Sequence, residues 1–234
     1  VLPKLRERTL ELAFRYWDKL TADQHTAMYD FINAGVSDLM QASLILRLAD
    51  HHWHSNETQE ALEGYLKLYR EFPDVMLFAG KEPDQFVQRT CSAVGNRLLR
   101  FPADEWGAKL EAVAREALEK AAEPGEVWPL MRVWYAFPKT SASVDAVLQA
   151  ADLAATQGDL GRAENLYSLL LRNGQQQVRL RAREAIFRYL LEQGAMGDAA
   201  NLLKAMQIQG QEDGPIAALV DRMLEHGREY EAFD

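Results

Sequence analysis

Apolar residues recur along the chain at intervals of three and four, with charged and amide side chains between them. This is the period of helices that bury one face. It predicts helices over 3–20, 22–34, 37–55, 57–72, 84–100, 103–123, 126–137, 142–157, 159–173, 177–193, 196–208 and 214–226. No run alternates apolar and polar residues as a half-buried strand would. Gly35, Gly158, Gly174, Gly194 and Gly210 sit just past periodic runs, where a left-handed residue closes a helix. Pro73, Pro102, Pro124 and Pro138 punctuate the middle, since proline cannot continue a helix. Thr21 ahead of Asp23 and Gln24, and Ser37 ahead of Asp38, read as N-caps.

Links this short between helices make antiparallel hairpins, and the hairpins repeat. In QGDLGRAENLYSLLLRN, Gly158 is followed by Ala163 and then Tyr167. The same order returns as Gly194, Ala199, Leu203 and as Gly227, Ala232. Upstream it is Asn56, Ala61, Tyr65, closed by Pro73, with Ala27 and Phe31 fitting once more. Ala27 to Ala61 is 34 residues, Ala61 to Ala163 is 102, Ala163 to Ala199 is 36 and Ala199 to Ala232 is 33. Glycine allows the sharp turn, the small alanine lets the second helix close on the first, and the larger residue one turn on fills the groove.

With these positions the chain resembles the tetratricopeptide-repeat family, whose unit is two helices in about 34 residues. The match is close over 37–73 and 144–208, partial over 3–34 and 213–234, and poor over 74–141. The expected organisation is N-terminal hairpins over 1–73, an irregular helical middle over 74–141 and C-terminal repeats over 142–234, the last one incomplete. The resemblance implies an all-α, right-handed superhelical solenoid of antiparallel hairpins. It also implies a scaffold that holds a peptide or helix of another protein on the concave wall built by first helices.

Carried over position by position, the wall is Ser43, Leu46, Asp50, Trp53 and His54, then Asp145, Leu148, Asp152 and Thr156, then Arg181, Glu184, Arg188 and Glu192. Trp53 and Arg188 are the expected anchors, because tryptophan and arginine dominate interface energetics. A peptide with an apolar anchor and acidic residues would satisfy Trp53, Arg181 and Arg188 together. Two other classes fit the same pattern: a helical accessory domain of a larger enzyme or export machine, and a self-associating structural protein.

Composition narrows the classes. Apolar residues are 48% and charged residues 26% of 234, enough for a sizeable core. A net charge of −9 argues against binding nucleic acid, which needs clustered cations. No apolar run reaches the ~20 residues that span a bilayer. With Cys91 alone, no internal disulfide forms, and cytoplasm and periplasm are both compatible. The chain opens with Val1 and VLPKLRERTL is no signal peptide, so a processed or trimmed chain is expected.

Candidate chemistry is sparse. His51, His52 and His54 crowd into ADHHWHSN, and Asp50, His51 and His54 share a helix face that could begin a zinc site. Nothing in the chain supplies the remaining ligands, so no metal is expected. Cys91 in QRTCSAVG reads as a small core residue. Carboxylates such as Glu116 and Glu119 lie on a solvated helix face. Arg179, Arg181, Arg183 and Arg188 interleave with Glu184 and Glu192, without an aromatic platform for bases. Trp106, Trp128, Trp134 and Tyr135 gather in the irregular middle and read as core filling. With no phosphate loop and no nucleophile elbow, neither a cofactor nor catalytic residues are expected, and the chain reads as a non-enzyme.

Overall fold

The computed structural model describes residues 37–78, 87–123, 125–173 and 175–208, with positions 8, 9, 12, 16, 19–21, 23, 24 and 27 before them. The helices predicted over most of 3–34 and over 214–226 lie outside the described residues, as do Phe31, Gly35, Pro124, Gly174, Gly210, Gly227 and Ala232. Among the described residues are nine helices and two short strands: α1 Asp38–His54, α2 Thr58–Glu71, β1 Met76–Phe78, β2 Val87–Arg89, α3 Thr90–Leu98, α4 Ala103–Ala122, α5 Val127–Ala136, α6 Ser141–Thr156, α7 Leu160–Leu171, α8 Gln176–Glu192 and α9 Met196–Ile208. The protein is mostly helical, and every helix but α3 begins and ends within two residues of its predicted span.

The exception is a correction. Residues 84–100 do not form one helix: Val87–Arg89 pairs antiparallel with Met76–Phe78, Met76 opposite Arg89 and Leu77 opposite Gln88. The backbone groups of 87–89 belong to this ladder, so the helix starts only at Thr90. Its first amides are satisfied across the chain, Thr90 N–H by the Val75 carbonyl at 2.9 Å and Cys91 N–H by the Pro73 carbonyl at 3.1 Å. A pairing between distant segments has no helical-period signature.

The chain divides into two compact units, one of residues 1–110 and 135–139, the other of 111–134 and 140–234. In the first, α1 packs on α2 and α2 on α3. Leu44, Leu62, Tyr65, Leu68, Val94, Phe101 and Phe137 are fully buried there. Phe101 gathers the aromatics, with ring centroids 4.8 Å from Trp53, 5.4 Å from Trp106 and 6.3 Å from Tyr65. Gly95 must be glycine, because a Cβ there would collide with the Tyr135 carbonyl oxygen. Cys91 is fully buried, and burial pushes its thiol pKa up, as suits a packing residue.

In the second unit α6 packs on α7, and α8 touches both α6 and α7 before pairing with α9. Most buried residues of α6 are alanine: Ala142, Ala146, Ala150, Ala151 and Ala154 have no exposed surface, and Ser143, Val144 and Val147 are buried with them. Small residues let the neighbouring backbones approach closely. Phe187, Leu191 and Ala199 form a further cluster, flanked by Leu180, Leu190, Met196 and Leu202.

Three hairpins close with one geometry. After α1, α6 and α8 the chain turns on Asn56, Gly158 and Gly194, at φ of 62°, 80° and 71°. The left-handed residue's N–H returns to a carbonyl three residues back: Asn56 to Trp53 at 3.2 Å, Gly158 to Ala155 at 3.0 Å, Gly194 to Leu191 at 2.9 Å. The next N–H reaches five back, Glu57 to His52, Asp159 to Ala154 and Ala195 to Leu190, each at 2.9 Å. This double bond satisfies the last carbonyls of the helix. The following helix then starts at the same offset, and Ala61, Ala163 and Ala199 are all fully buried. At the other helix ends, Thr21 Oγ1 accepts from Gln24 N–H at 3.3 Å while Gln24 Oε1 accepts from Thr21 N–H at 2.9 Å, a reciprocal cap. Ser37 stands at the N-cap of α1, but its side chain makes no capping bond.

A leucine at 163 has no room in the closed hairpin. Ala163→Leu is expected to destabilise by about 1–3 kcal/mol through overpacking. Ala112→Leu, at an exposed site on α4, is expected to stay within about 0.5 kcal/mol. Denaturant unfolding measures both, and equal midpoints for the two variants would refute the alanine register.

Candidate functional site

The N-terminal end of α6 is tied down by side chains rather than left to water. Thr140 is its N-cap, the hydroxyl accepting from Ser143 N–H at 3.2 Å. The next two amides go to one carboxylate: Ser141 N–H donates to Glu111 Oε2 at 2.7 Å and Ala142 N–H to Oε1 at 3.1 Å. Ser141 Oγ adds a third bond to Glu111 at 2.6 Å. Burial alone would raise the Glu111 pKa, but these bonds and the Arg115 guanidinium outweigh it and hold the carboxyl below its ordinary range. Arg115 bridges onward, Nε to Glu111 Oε1 at 3.0 Å and Nη1 to Asp145 Oδ2 at 2.5 Å. Arg181 pairs with the other oxygen of Asp145. Two residues expected on the wall, Asp145 and Arg181, are therefore bonded to each other.

About two turns beyond Asp145, four other wall residues come together around a cavity of about 260 Å³. Asp152 and Thr156 from α6, and Arg188 and Glu192 from α8, line it with Ala155, Tyr167, Ala185, Tyr189 and Gln193. Ala155 and Ala185 leave the space between the helices, and the rings of Tyr167 and Tyr189, 5.7 Å apart, are buried beneath. Tyr167 Oη donates to Asp152 Oδ1 at 2.6 Å. Burial and then Asp152 push the Tyr167 pKa far up, so the phenol stays protonated and orients the carboxylate. Arg188 makes no ion pair among the described residues and lowers the Tyr167 pKa slightly from a distance. Leu148 and Glu184 are half-buried, and Thr156 Oγ donates to the Leu153 carbonyl at 2.8 Å.

In the first unit, Ser43 and Leu46 are half-buried on α1. Asp50 accepts from Tyr65 Oη at 2.7 Å and holds Arg97 in a two-point ion pair, Nε to Oδ1 at 3.1 Å and Nη2 to Oδ2 at 3.0 Å. Trp53 is half-buried with its ring tilted on Phe101, so part of its surface is committed to packing. His54 is exposed, its Nδ1 bonded to the Asp50 carbonyl at 2.5 Å, and His52 Nδ1 meets Glu57 Oε2 at 2.5 Å. Among the described residues no group of three His, Cys, Asp or Glu side chains could hold a metal ion. Of the aromatics in the irregular middle, Trp106 is buried, Trp128 and Trp134 are half-buried, and Tyr135 is 40% exposed.

Periodicity did not single out Arg97, Arg115, Tyr65 or Tyr167 as partners of wall carboxylates, nor Glu111 as the acceptor for the first amides of α6. One signal was there to be read: Asp50 with Tyr65, and Asp152 with Tyr167, share a spacing of 15 and stand 102 residues apart. No family model, curated protein or solved structure matches the chain. No described helix is long and apolar enough to cross a membrane.

The Glu111 cap sets a pH dependence. A carboxyl whose folded pKa is lowered contributes stability that is fully present above its ordinary value of 4.5 and is lost as pH falls through the lowered folded value. Glu111→Gln is expected to cost about 1 kcal/mol at pH 7, the size of a lost N-terminal cap. The gap between wild type and variant should close under acid, below pH 4.5. Paired thermal melts across that window check it, and a gap that stays constant into acid would contradict the charged cap.

Proposed function

We propose that the chain is a protein-interaction scaffold of the tetratricopeptide-repeat kind, without catalytic activity of its own. Its hairpins stack as a right-handed superhelix, and the wall built by first helices holds a peptide or helix of a partner protein. The observation that carries this reading is the cavity between α6, α7 and α8, where Asp152, Thr156, Arg188 and Glu192 converge over two buried tyrosines. Polar groups around a small apolar floor orient a peptide side chain, while flanking helix surface supplies contact area. Arg181 is bound by Asp145, which leaves the Asp152 cavity rather than the Arg181 turn as the recognition point.

The test uses the intact chain. Partners captured from an extract are identified by mass spectrometry, and the tightest is then measured against two variants. Thr156→Trp places a large ring at an exposed position on the cavity rim, and Gln149→Trp places one on an exposed site of α6 outside it. Thr156→Trp is expected to weaken capture by about tenfold or more, the cost of blocking an interface centre. Gln149→Trp should bind like wild type. Unchanged capture by Thr156→Trp would place binding elsewhere and defeat the proposal.

A further inference from the structure

We infer that the cavity between α6, α7 and α8 takes a guanidinium group, the arginine side chain of a partner peptide, on the Asp152 carboxylate. This rests on the peptide-binding reading and names the chemistry that the site selects.

The chain contains its own precedent. Asp50 with Tyr65 recurs 102 residues later as Asp152 with Tyr167, each pair on the two helices of one hairpin closed by the same left-handed turn. In both, a buried tyrosine hydroxyl donates to aspartate Oδ1, at 2.7 and 2.6 Å. The Asp50 carboxylate still has room for a guanidinium, and Arg97 takes it through two bonds, Nε to Oδ1 at 3.1 Å and Nη2 to Oδ2 at 3.0 Å. Fork-to-carboxylate pairing of this kind is planar and favours arginine over lysine. Asp152 is oriented by its tyrosine in the same way, and the Tyr167 bond is the only one its side chain makes among the described residues. The same acceptor thus lines a cavity in one hairpin and holds an internal arginine in the other.

Charge and shape agree. Asp152 and Glu192 face a single cation, Arg188, in the cavity lining, and the chain as a whole carries −9. An anionic ligand paired with Arg188 would sit beside two carboxylates, whereas a cationic one meets both. The floor of alanine and tyrosine suits a flat, weakly hydrated guanidinium, which stacks on aromatic faces as an ammonium does not. The sequence alone had pointed to an acidic peptide through Arg181 and Arg188. With Arg181 held by Asp145, that pair of cations is no longer a pair.

The probes are four pools of capped peptides, randomised among neutral residues around a fixed central arginine, lysine, citrulline or glutamate. Binding to the whole chain is followed by fluorescence anisotropy. The arginine pool should bind about tenfold tighter than the citrulline pool, which keeps the shape and loses the charge. Asp152→Asn should remove most of that preference, Glu192→Gln should weaken it, and Arg188→Ala should strengthen it by removing a like charge. Circular dichroism monitors folding, and if Asp152→Asn unfolds, the exposed Glu192→Gln and Arg188→Ala decide. Citrulline binding as well as arginine, or arginine binding unaffected in these variants, would overturn the inference. A glutamate preference abolished by Arg188→Ala would also overturn it, yet leave the peptide groove standing. No binding by any pool, together with wild-type capture by Thr156→Trp, would sink both.

Discussion

The closing of each hairpin on a single left-handed residue is the constraint from which the regular parts of this protein follow. A helix ends with carbonyls that have no partner inside it, and two antiparallel helices joined by three residues leave no chain to spare for solving that problem. Asn56, Gly158 and Gly194 solve it by reversing the sign of φ, which aims two successive amides back at the helix they leave. Glycine takes that conformation without strain, and asparagine is the side chain that tolerates it best. Because the turn is bonded in the same way each time, the next helix begins at a set offset, and the buried alanine falls at the same place.

The polar chemistry is layered on that scaffold. A tyrosine one turn after the close-contact alanine reaches back across the hairpin to an aspartate on the first helix, and a phenol buried this deeply stays a donor. What differs between the two hairpins is what meets the far edge of the aspartate, Arg97 in one and a cavity in the other. At the start of α6 a different logic holds. Exposed ion pairs contribute little by themselves, but Glu111 accepts backbone amides that the helix cannot satisfy, so the Glu111–Arg115–Asp145–Arg181 chain acts mainly through the cap it anchors.

Helices and their ends were legible in the amino-acid sequence because each is a local property. Period and the glycine and proline positions depend on residues a few places apart, and the helix spans of α1, α2 and α4–α9 agree with them closely. The same locality made Thr21 and Gln24 readable as a cap. Candidate wall positions also follow from helical phase, and Asp152, Thr156, Arg188 and Glu192 do meet around one cavity.

Tertiary structure decided whatever depends on which distant groups meet. The strand at Val87–Arg89 exists because Met76–Phe78 lies beside it, a pairing between segments that carry no shared period. Arg97 on Asp50 spans 47 residues, and Arg115 and Arg181 on Asp145 span 30 and 36. Those bonds determine which charges are neutralised and which line a cavity, whereas helical phase alone put both Arg181 and Arg188 on the wall. A side chain's charge is written in the sequence, but its availability to a ligand is set by the partners the fold brings within bonding distance.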